Sequence, residues 1–150
     1  MRAGVESDSE GHLVVFDGKV KLAGTLVVAF DRAPGMPSDP AVSGSVIFRP
    51  DARSRLRLPR AVGAFYYGEA TRIELDADPA KILQKLIGPQ RASQVLNGSM
   101  PTYMMAATVT ISDFRTSVEC GARSFEARLT DVSASKPSVT ASSESTMSSC

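Results

Sequence analysis

Tryptophan is absent from this chain, and the residues that most often carry catalysis are scarce. The 150 residues include one histidine, His12, and two cysteines, Cys120 and Cys150. Any nucleophile–histidine pair would have to use His12, and no His, Cys and carboxylate cluster has the spacing of a metal site. The acid pair Asp76 and Asp78 is explained by solvation and by helix capping. The inventory therefore favours a protein that is not an enzyme and that uses no metal or cofactor.

The chain also has no strong excess of charge and no long apolar run. Seventeen basic residues against sixteen acidic ones give a formal net charge of +1, so the overall charge does not attract nucleic acid or anionic lipid. No apolar run approaches the roughly 18 residues of a membrane span, and the first residues do not form an apolar signal core. We expect a soluble chain, cytoplasmic as given, although an exported mature form is an alternative that leaves the localisation open.

The composition predicts one folded domain between two unstructured ends. A hydrophobic content of 43% in 150 residues is enough for one core. Residues 1–10 are polar and acidic, and residues 133–150 are rich in serine, so neither end buries enough apolar surface to offset the entropy of ordering. We predict a disordered lead at 1–10, a single β-rich domain at 11–132 and a disordered tail at 133–150.

The most regular stretch runs from Tyr103 to Val132. Alternation from Thr108 to Ile111 places Val109 and Ile111 on the core face of a strand. Ser112 and Asp113 then predict a turn, and Cys120–Gly121 predicts the reversal of a hairpin. The second arm of that hairpin also alternates, and the residues predicted on its core side are Phe125, Ala127, Leu129 and Asp131.

Turn signals divide the first part of the domain. Asp17–Gly18 between two apolar runs predicts a tight hairpin, and Gly24 within the following run predicts a bulge or bend. Residues 31–43 contain three prolines and predict a long loop, which is either functional or a surface insertion. Curved strands of this kind are typical of closed sheets.

Further strands are predicted before a helix. Ser45–Arg49 forms a short strand, Arg55–Leu58 alternates as a second strand, and Ala61–Tyr67 with Ala70–Leu75 forms a hairpin that turns at Gly68–Glu69. In the last of these, Ile73 and Leu75 face one way and Arg72 and Glu74 the other.

The period changes to that of a helix after Asp78. Asp78 and Pro79 form a good helix start, Gly88 marks its end, and Pro89–Leu96 predicts a second short helix. The apolar stripe of the first helix is Ile82, Leu83, Leu86 and Ile87. The element order predicts a mainly β (α+β) fold, with a small antiparallel, barrel-like (OB-like) sheet and a helical insertion before the last strands. A two-layer α+β sandwich is the alternative.

One local cluster suggests a ligand. Arginines occur at positions 49, 53, 55, 57 and 60, and the aromatic residues Phe65, Tyr66 and Tyr67 follow them. Guanidinium groups match phosphate and carboxylate oxygens, and aromatic rings can stack on bases or sugars. The candidate ligand-binding residues are Arg53, Arg55, Arg57, Arg60, Tyr66 and Tyr67. The competing interpretation is a solvated face whose arginine stems cover apolar surface.

Two classes of function therefore stay open. The first is a non-enzymatic binding or interaction module that engages a protein partner through an exposed strand or the proline-rich loop. The second is a binder of anions or single-stranded nucleic acid that uses the arginine strip from Arg49 to Arg60, with its neighbouring aromatics. Self-association through an edge strand is a further option, and no membrane span is expected.

Overall fold

The computed structural model describes residues 2–6, 13–30, 44–62, 65–66, 68–88, 102–119, 122–134 and 138–140. Within these ranges the chain forms nine strands and two helices. The strands are β1 (Arg2–Glu6), β2 (Leu13–Phe30), β3 (Gly44–Pro50), β4 (Ala61–Val62), β5 (Phe65–Tyr66), β6 (Ile73–Asp76), β7 (Thr102–Glu119), β8 (Ala122–Ala134) and β9 (Ser138–Thr140). The helices are α1 (Ala52–Arg55), between β3 and β4, and α2 (Pro79–Ile87), between β6 and β7.

Five of the strands close on one another in a ring. Their order is β2-β3-β6-β8-β7, and β7 pairs again with β2. The long pair β2–β7 is antiparallel and extends from Leu13 opposite Ser117 to Ala29 opposite Thr102. Outside the ring, β1 adds to β2 and β9 adds to β7, while β4 and β5 form a separate small hairpin. The prediction of a mainly β, α+β fold with a small curled sheet is confirmed.

One pair in the ring is parallel, although the sequence predicted antiparallel pairing only. β6 pairs with β3 in antiparallel fashion, with Leu75 opposite Val46, and with β8 in parallel, with Glu74 opposite Glu126. The predicted hairpin of Ala61–Tyr67 with Ala70–Leu75 is therefore wrong. β4 and β5 pair with each other. β6 instead pairs with β3 and β8, which are not its neighbours in the sequence.

The predicted hairpin at Asp17–Gly18 is wrong as well, because β2 continues through it. Gly18 has φ 100°, and the register of β2 against β7 shifts between Phe16 and Lys19. A left-handed glycine inside a paired strand produces a bulge and not a reversal when the same partner strand continues on both sides. The bulge bends β2 and lets both of its halves contribute to one core.

β7 shows the same behaviour at Asp113, where the sequence predicted a turn. Asp113 has φ 51°, and the register against β8 shifts between Ser112 and Arg115. Phe114, next to the bulge, is fully buried, and its ring centroid lies 5.8 Å from that of Phe16. The bulge thus aims a large aromatic side chain into the ring.

The inward faces follow the predicted alternation with one exception. Val109, Ile111 and Ala127 are fully buried in one core cluster, as predicted. Asp131 is exposed, so its predicted place on the core side of β8 is wrong. A register shift opposite Thr110 and Ile111 changes the alternation of β8, and Val132 fills the core position in its place.

The helix α2 confirms its local signals. The Asp78 carboxylate accepts from the backbone N–H of Ala80 at 2.9 Å, Pro79 is the first helical residue, and Gly88 ends the helix with φ 88°. Ile82 and Leu83 belong to the core cluster. The second predicted helix, Pro89–Leu96, lies outside the described residues. Neither helix in the described ranges is long and apolar enough to cross a membrane.

Strands also occur in the two end segments for which the sequence predicted no regular structure. β1 pairs with β2 within residues 1–10, and the end of β8 and all of β9 pair with β7 beyond residue 132. Backbone groups can extend a sheet edge whatever the side chains are, because each residue supplies one donor and one acceptor. The domain limits of 11–132 stay a prediction.

Candidate functional site

The arginine-rich segment is a helical turn and not the predicted strand. Asp51 is extended (φ −67°, ψ 169°) and caps α1, and its carboxylate accepts from the backbone N–H of Ser54 at 2.7 Å. The turn continues beyond α1, because the N–H of Arg57 donates to the carbonyl of Ser54 and that of Leu58 donates to the carbonyl of Arg55. Ser54 and Leu58, four residues apart, are buried. Helical spacing therefore separates Arg55 from Arg57, which the strand prediction placed on one face.

This turn completes the hydrogen bonding of β2 where no strand does. β1 pairs with the start of β2, and β3 pairs with its second half. On the same side of β2, α1 contacts the part that lies between these two strands. The N–H of Ala23 donates to the Ser54 hydroxyl at 2.8 Å, and the N–H of Asp51 donates to the carbonyl of Ala23 at 2.9 Å. Arg57 Nη1 donates to the carbonyl of Lys21 at 2.9 Å. These bonds satisfy backbone groups that would otherwise form an open edge.

Two other predicted site residues share one carboxylate. Arg55 Nε lies 3.4 Å from Glu69 Oε2, and Arg60 Nη1 lies 3.7 Å from Glu69 Oε1. Arg55 Nη1 also donates to the carbonyl of Pro50 at 3.2 Å. The single carboxylate of Glu69 therefore balances one of the two positive charges at these positions.

The remaining predicted site residues are distributed differently. Arg53 is exposed and, among the described residues, has no ion pair. Tyr66 lies in β5, paired with Ala61. The other predicted features lie outside the described residues, and they are Tyr67, His12, Cys120, Cys150 and the loop 31–43. Among the described candidates, Arg55 and Arg60 meet at Glu69, and the full set of six stays a prediction.

A shallow groove crosses the outer face of the ring beside α1. It consists of two adjoining cavities of about 330 and 610 Å³, which share Ala23, Asp51 and Thr108. The smaller cavity also contains Lys21, Leu22, Arg53, Ser54 and Arg57. The larger one also contains Gly24, Thr25, Ala106, Ala107, Ser133 and Ala134. We call this whole surface the α1 groove.

The floor of the α1 groove is formed by short side chains on three neighbouring strands. Ala23, Thr108 and Ser133 lie opposite one another in a row that crosses β2, β7 and β8. Lys21 and Arg53 are exposed at one end of this row. The sequence prediction missed the floor and found only Arg53 and Arg57 of the residues around it.

Two carboxylates near the α1 groove are stabilised in their charged form. Hydrogen bonds from Ser54, chiefly its backbone N–H, lower the pKa of Asp51 below its usual 3.8, and Arg55 contributes to the same shift. A hydrogen bond from Lys85, at 3.3 Å, is the main cause that lowers the pKa of Asp131, and Lys21 adds a smaller contribution. Both acids are therefore ionised at neutral pH and already have partners.

A separate cavity of about 290 Å³, outside the α1 groove, lies on the face formed by β6 and β8. It is lined by Glu74, Leu75, Asp76, Arg115 and Glu126. Glu126 Oε2 accepts from Nε of Arg115 at 2.8 Å and lies 2.8 Å from its Nη2, and Glu74 pairs with Arg72 at 3.2 Å. These carboxylates are held by arginines, an arrangement typical of a structural charge network.

Comparisons with known proteins add no family to this description. No family model, curated protein or solved structure matches the chain. In the part of the chain that the structure describes, no three His, Cys, Asp or Glu side chains are grouped to hold a metal ion. The α1 groove is therefore the feature of the described residues that points to a function.

Proposed function

We propose that this protein is a non-enzymatic binding module and that its ligand lies in the α1 groove. The observation that carries this proposal is the combination of a concave surface with exposed basic residues at one end. Lys21 and Arg53 stand beside a floor that includes Ala23 and Thr108. Short side chains on the floor let the backbone of a ligand approach closely, while the basic residues supply orientation.

The topology of the ring supports a binding role. The helix α2 lies between the third and fourth strands of the ring, and the parallel pair joins its third and fifth strands. This order is compatible with the OB-like fold that the sequence suggested, and small sheets of that kind bind oligonucleotides and oligosaccharides. Because one fold serves many ligands, the topology supports binding in general and does not select the ligand.

Binding of anions or single-stranded nucleic acid by the arginine strip is the second candidate. The exposed position of Arg53, with Lys21 and Arg57 around the same cavity, favours it. The contacts of Arg55 and Arg60 with Glu69 count against a continuous strip. We therefore prefer the α1 groove to the strip as the binding surface.

A peptide-display selection tests the proposal. The full chain, a Thr108→Trp variant and an Arg128→Trp variant are selected against the same random library. Thr108 lies in the groove floor. Arg128 is exposed on β8, where its Nε lies 3.8 Å from Asp113 Oδ2, and it lines neither cavity of the groove. The proposal predicts sequences that are enriched on the wild type and on Arg128→Trp but lost on Thr108→Trp. Equal enrichment on Thr108→Trp and on the wild type, or no enrichment on either, would overturn the proposal.

A further inference from the structure

The α1 turn exposes a large apolar side chain beside the basic residues. Leu56 is 61% exposed, and it is the exposed large hydrophobic residue of the described part of the chain. It follows Arg53 by three residues in a helical turn, which makes the two side chains neighbours on the surface. An exposed leucine next to a guanidinium group presents an apolar contact and a cation side by side.

The charge of this surface is complementary to a carboxylate ligand. Lys21, Arg53 and Arg57 surround the smaller cavity, and Asp51 is the acidic residue among them. The Asp51 carboxylate is already occupied by the N–H of Ser54. A guanidinium has five N–H donors, and the Lys21 carbonyl takes only Nη1 of Arg57. Donors are therefore available on both arginines.

We infer that the α1 groove binds an extended acidic segment of a partner protein, with an apolar side chain of that segment packed on Leu56. This inference rests on the proposed function and names its ligand class. The carboxylates of the segment pair with Arg53 and Lys21, and its backbone crosses the row of Ala23, Thr108 and Ser133. Three adjacent strands span about 10 Å, the length of about three extended residues.

The surface suits a peptide better than the alternatives. Bases of a single strand are usually held by stacking on aromatic rings, and no aromatic residue lines the groove in the part that the structure describes. Anionic lipid is recognised by clusters of about four to eight basic residues, whereas the basic residues that line the smaller cavity are Lys21, Arg53 and Arg57. An acidic peptide with an apolar side chain uses the cations of the groove together with Leu56, which neighbours Arg53 and lies outside the two cavities.

Binding of synthetic probes to the full chain tests this inference. The probes are a fluorescent peptide of alternating Glu and Leu, a matched peptide of alternating Glu and Ser, a ten-nucleotide oligo-dT and phosphatidylserine vesicles. We expect the Glu–Leu peptide to bind best and to bind more weakly as salt rises. Its affinity should fall about tenfold in Arg53→Glu and about tenfold in Leu56→Ser, the scale of losing one ionic or apolar contact.

The controls separate this inference from the proposed function. Lys81→Glu reverses an exposed charge on α2, away from the groove, and should leave the Glu–Leu affinity unchanged. Tighter binding of oligo-dT or of vesicles, or equal Glu–Leu binding by wild type, Arg53→Glu and Leu56→Ser, would overturn the inference. If the display selection yields groove-dependent sequences that are neutral or basic, the inference fails and the proposed function stands. If it yields no groove-dependent sequence, both fail.

Discussion

The hydroxyl oxygen of Ser54 lies 2.8 Å from the backbone nitrogen of Ala23 and accepts its hydrogen bond. This bond attaches the α1 turn to the side of β2 and so forms one wall of the α1 groove. Ser54 is buried although it is polar, which its contact with the backbone of β2 explains. The position of Arg53 and Leu56 on the surface depends on the same attachment.

Replacement of Ser54 by alanine should destabilise the protein. The change leaves the N–H of Ala23 without its partner in a partly buried place, which costs about 2 kcal/mol in the free energy of unfolding. Chemical denaturation of the wild type and Ser54→Ala measures this difference. Ser133→Ala, an exposed serine of the groove floor, is the control and should change the value by less than about 0.5 kcal/mol. Equal stability of Ser54→Ala and wild type would show that the bond does not hold α1.

The cap of α1 should make stability depend on pH. The folded state lowers the pKa of Asp51 below 3.8, so the ionised group stabilises the fold above the unfolded value, and this contribution is lost as pH falls through the folded value. The stability difference between wild type and Asp51→Ala should therefore be constant near neutral pH and shrink below about pH 5. Urea unfolding of both proteins at pH 7 and pH 3 measures it. Because Asp131 is present in both, its own lowered pKa cancels in the difference. A difference that grows toward pH 3 would contradict the assignment.

Gly24 should not tolerate a side chain. A Cβ at this position would meet the carbonyl oxygen of Arg49 and would lie 2.8 Å from Pro50 Cα and 2.9 Å from the ring of Phe48. Two of these three are backbone atoms, so β3 would have to move away from β2. We expect Gly24→Ala to lower the free energy of unfolding by about 2 kcal/mol. Thermal unfolding compares it with Ala23→Ser, an exposed neighbour that should be nearly neutral.

Local signals predicted the parts of the fold that depend on neighbouring residues. Asp78, Pro79 and Gly88 define α2 without help from the rest of the chain, and the alternation around Val109 survives because that strand is buried on one side. Asp17–Gly18 and Asp113 were misread as reversals, since a glycine or aspartate with positive φ serves equally in a turn or in a bulge. The choice depends on whether the partner strand continues, which is a property of distant residues.

The candidate site was only partly predictable for a related reason. The alternation from Arg55 to Leu58 favoured a strand, but Asp51 and Ser54 form a capping pair that starts a helical turn. That signal was present in the sequence and could have corrected the assignment. The contact of Arg57 with Lys21, 36 residues earlier in the chain, and the row of small residues across three strands could not be seen without the sheet register.

Removing the carboxylate that pairs with Arg55 and Arg60 should change the binding of polyanions but not the binding of a peptide in the α1 groove. Glu69→Gln removes the carboxylate that Arg55 and Arg60 share, so affinity for oligo-dT at low salt should rise severalfold. Glu74→Gln changes the net charge equally but acts on Arg72, and it is the matched control. Fluorescence anisotropy measures both variants. An equal rise in the two would mean that overall charge, and not the arginine strip, determines the effect.

The most direct test of the binding surface is an NMR titration of the full, ¹⁵N-labelled chain with the peptide most enriched in the display selection. If the α1 groove is the site, the amide shifts should change most at 21–25, 51–57 and 106–108. Shifts concentrated around Glu74, Arg115 and Glu126, at the other cavity, would contradict the account.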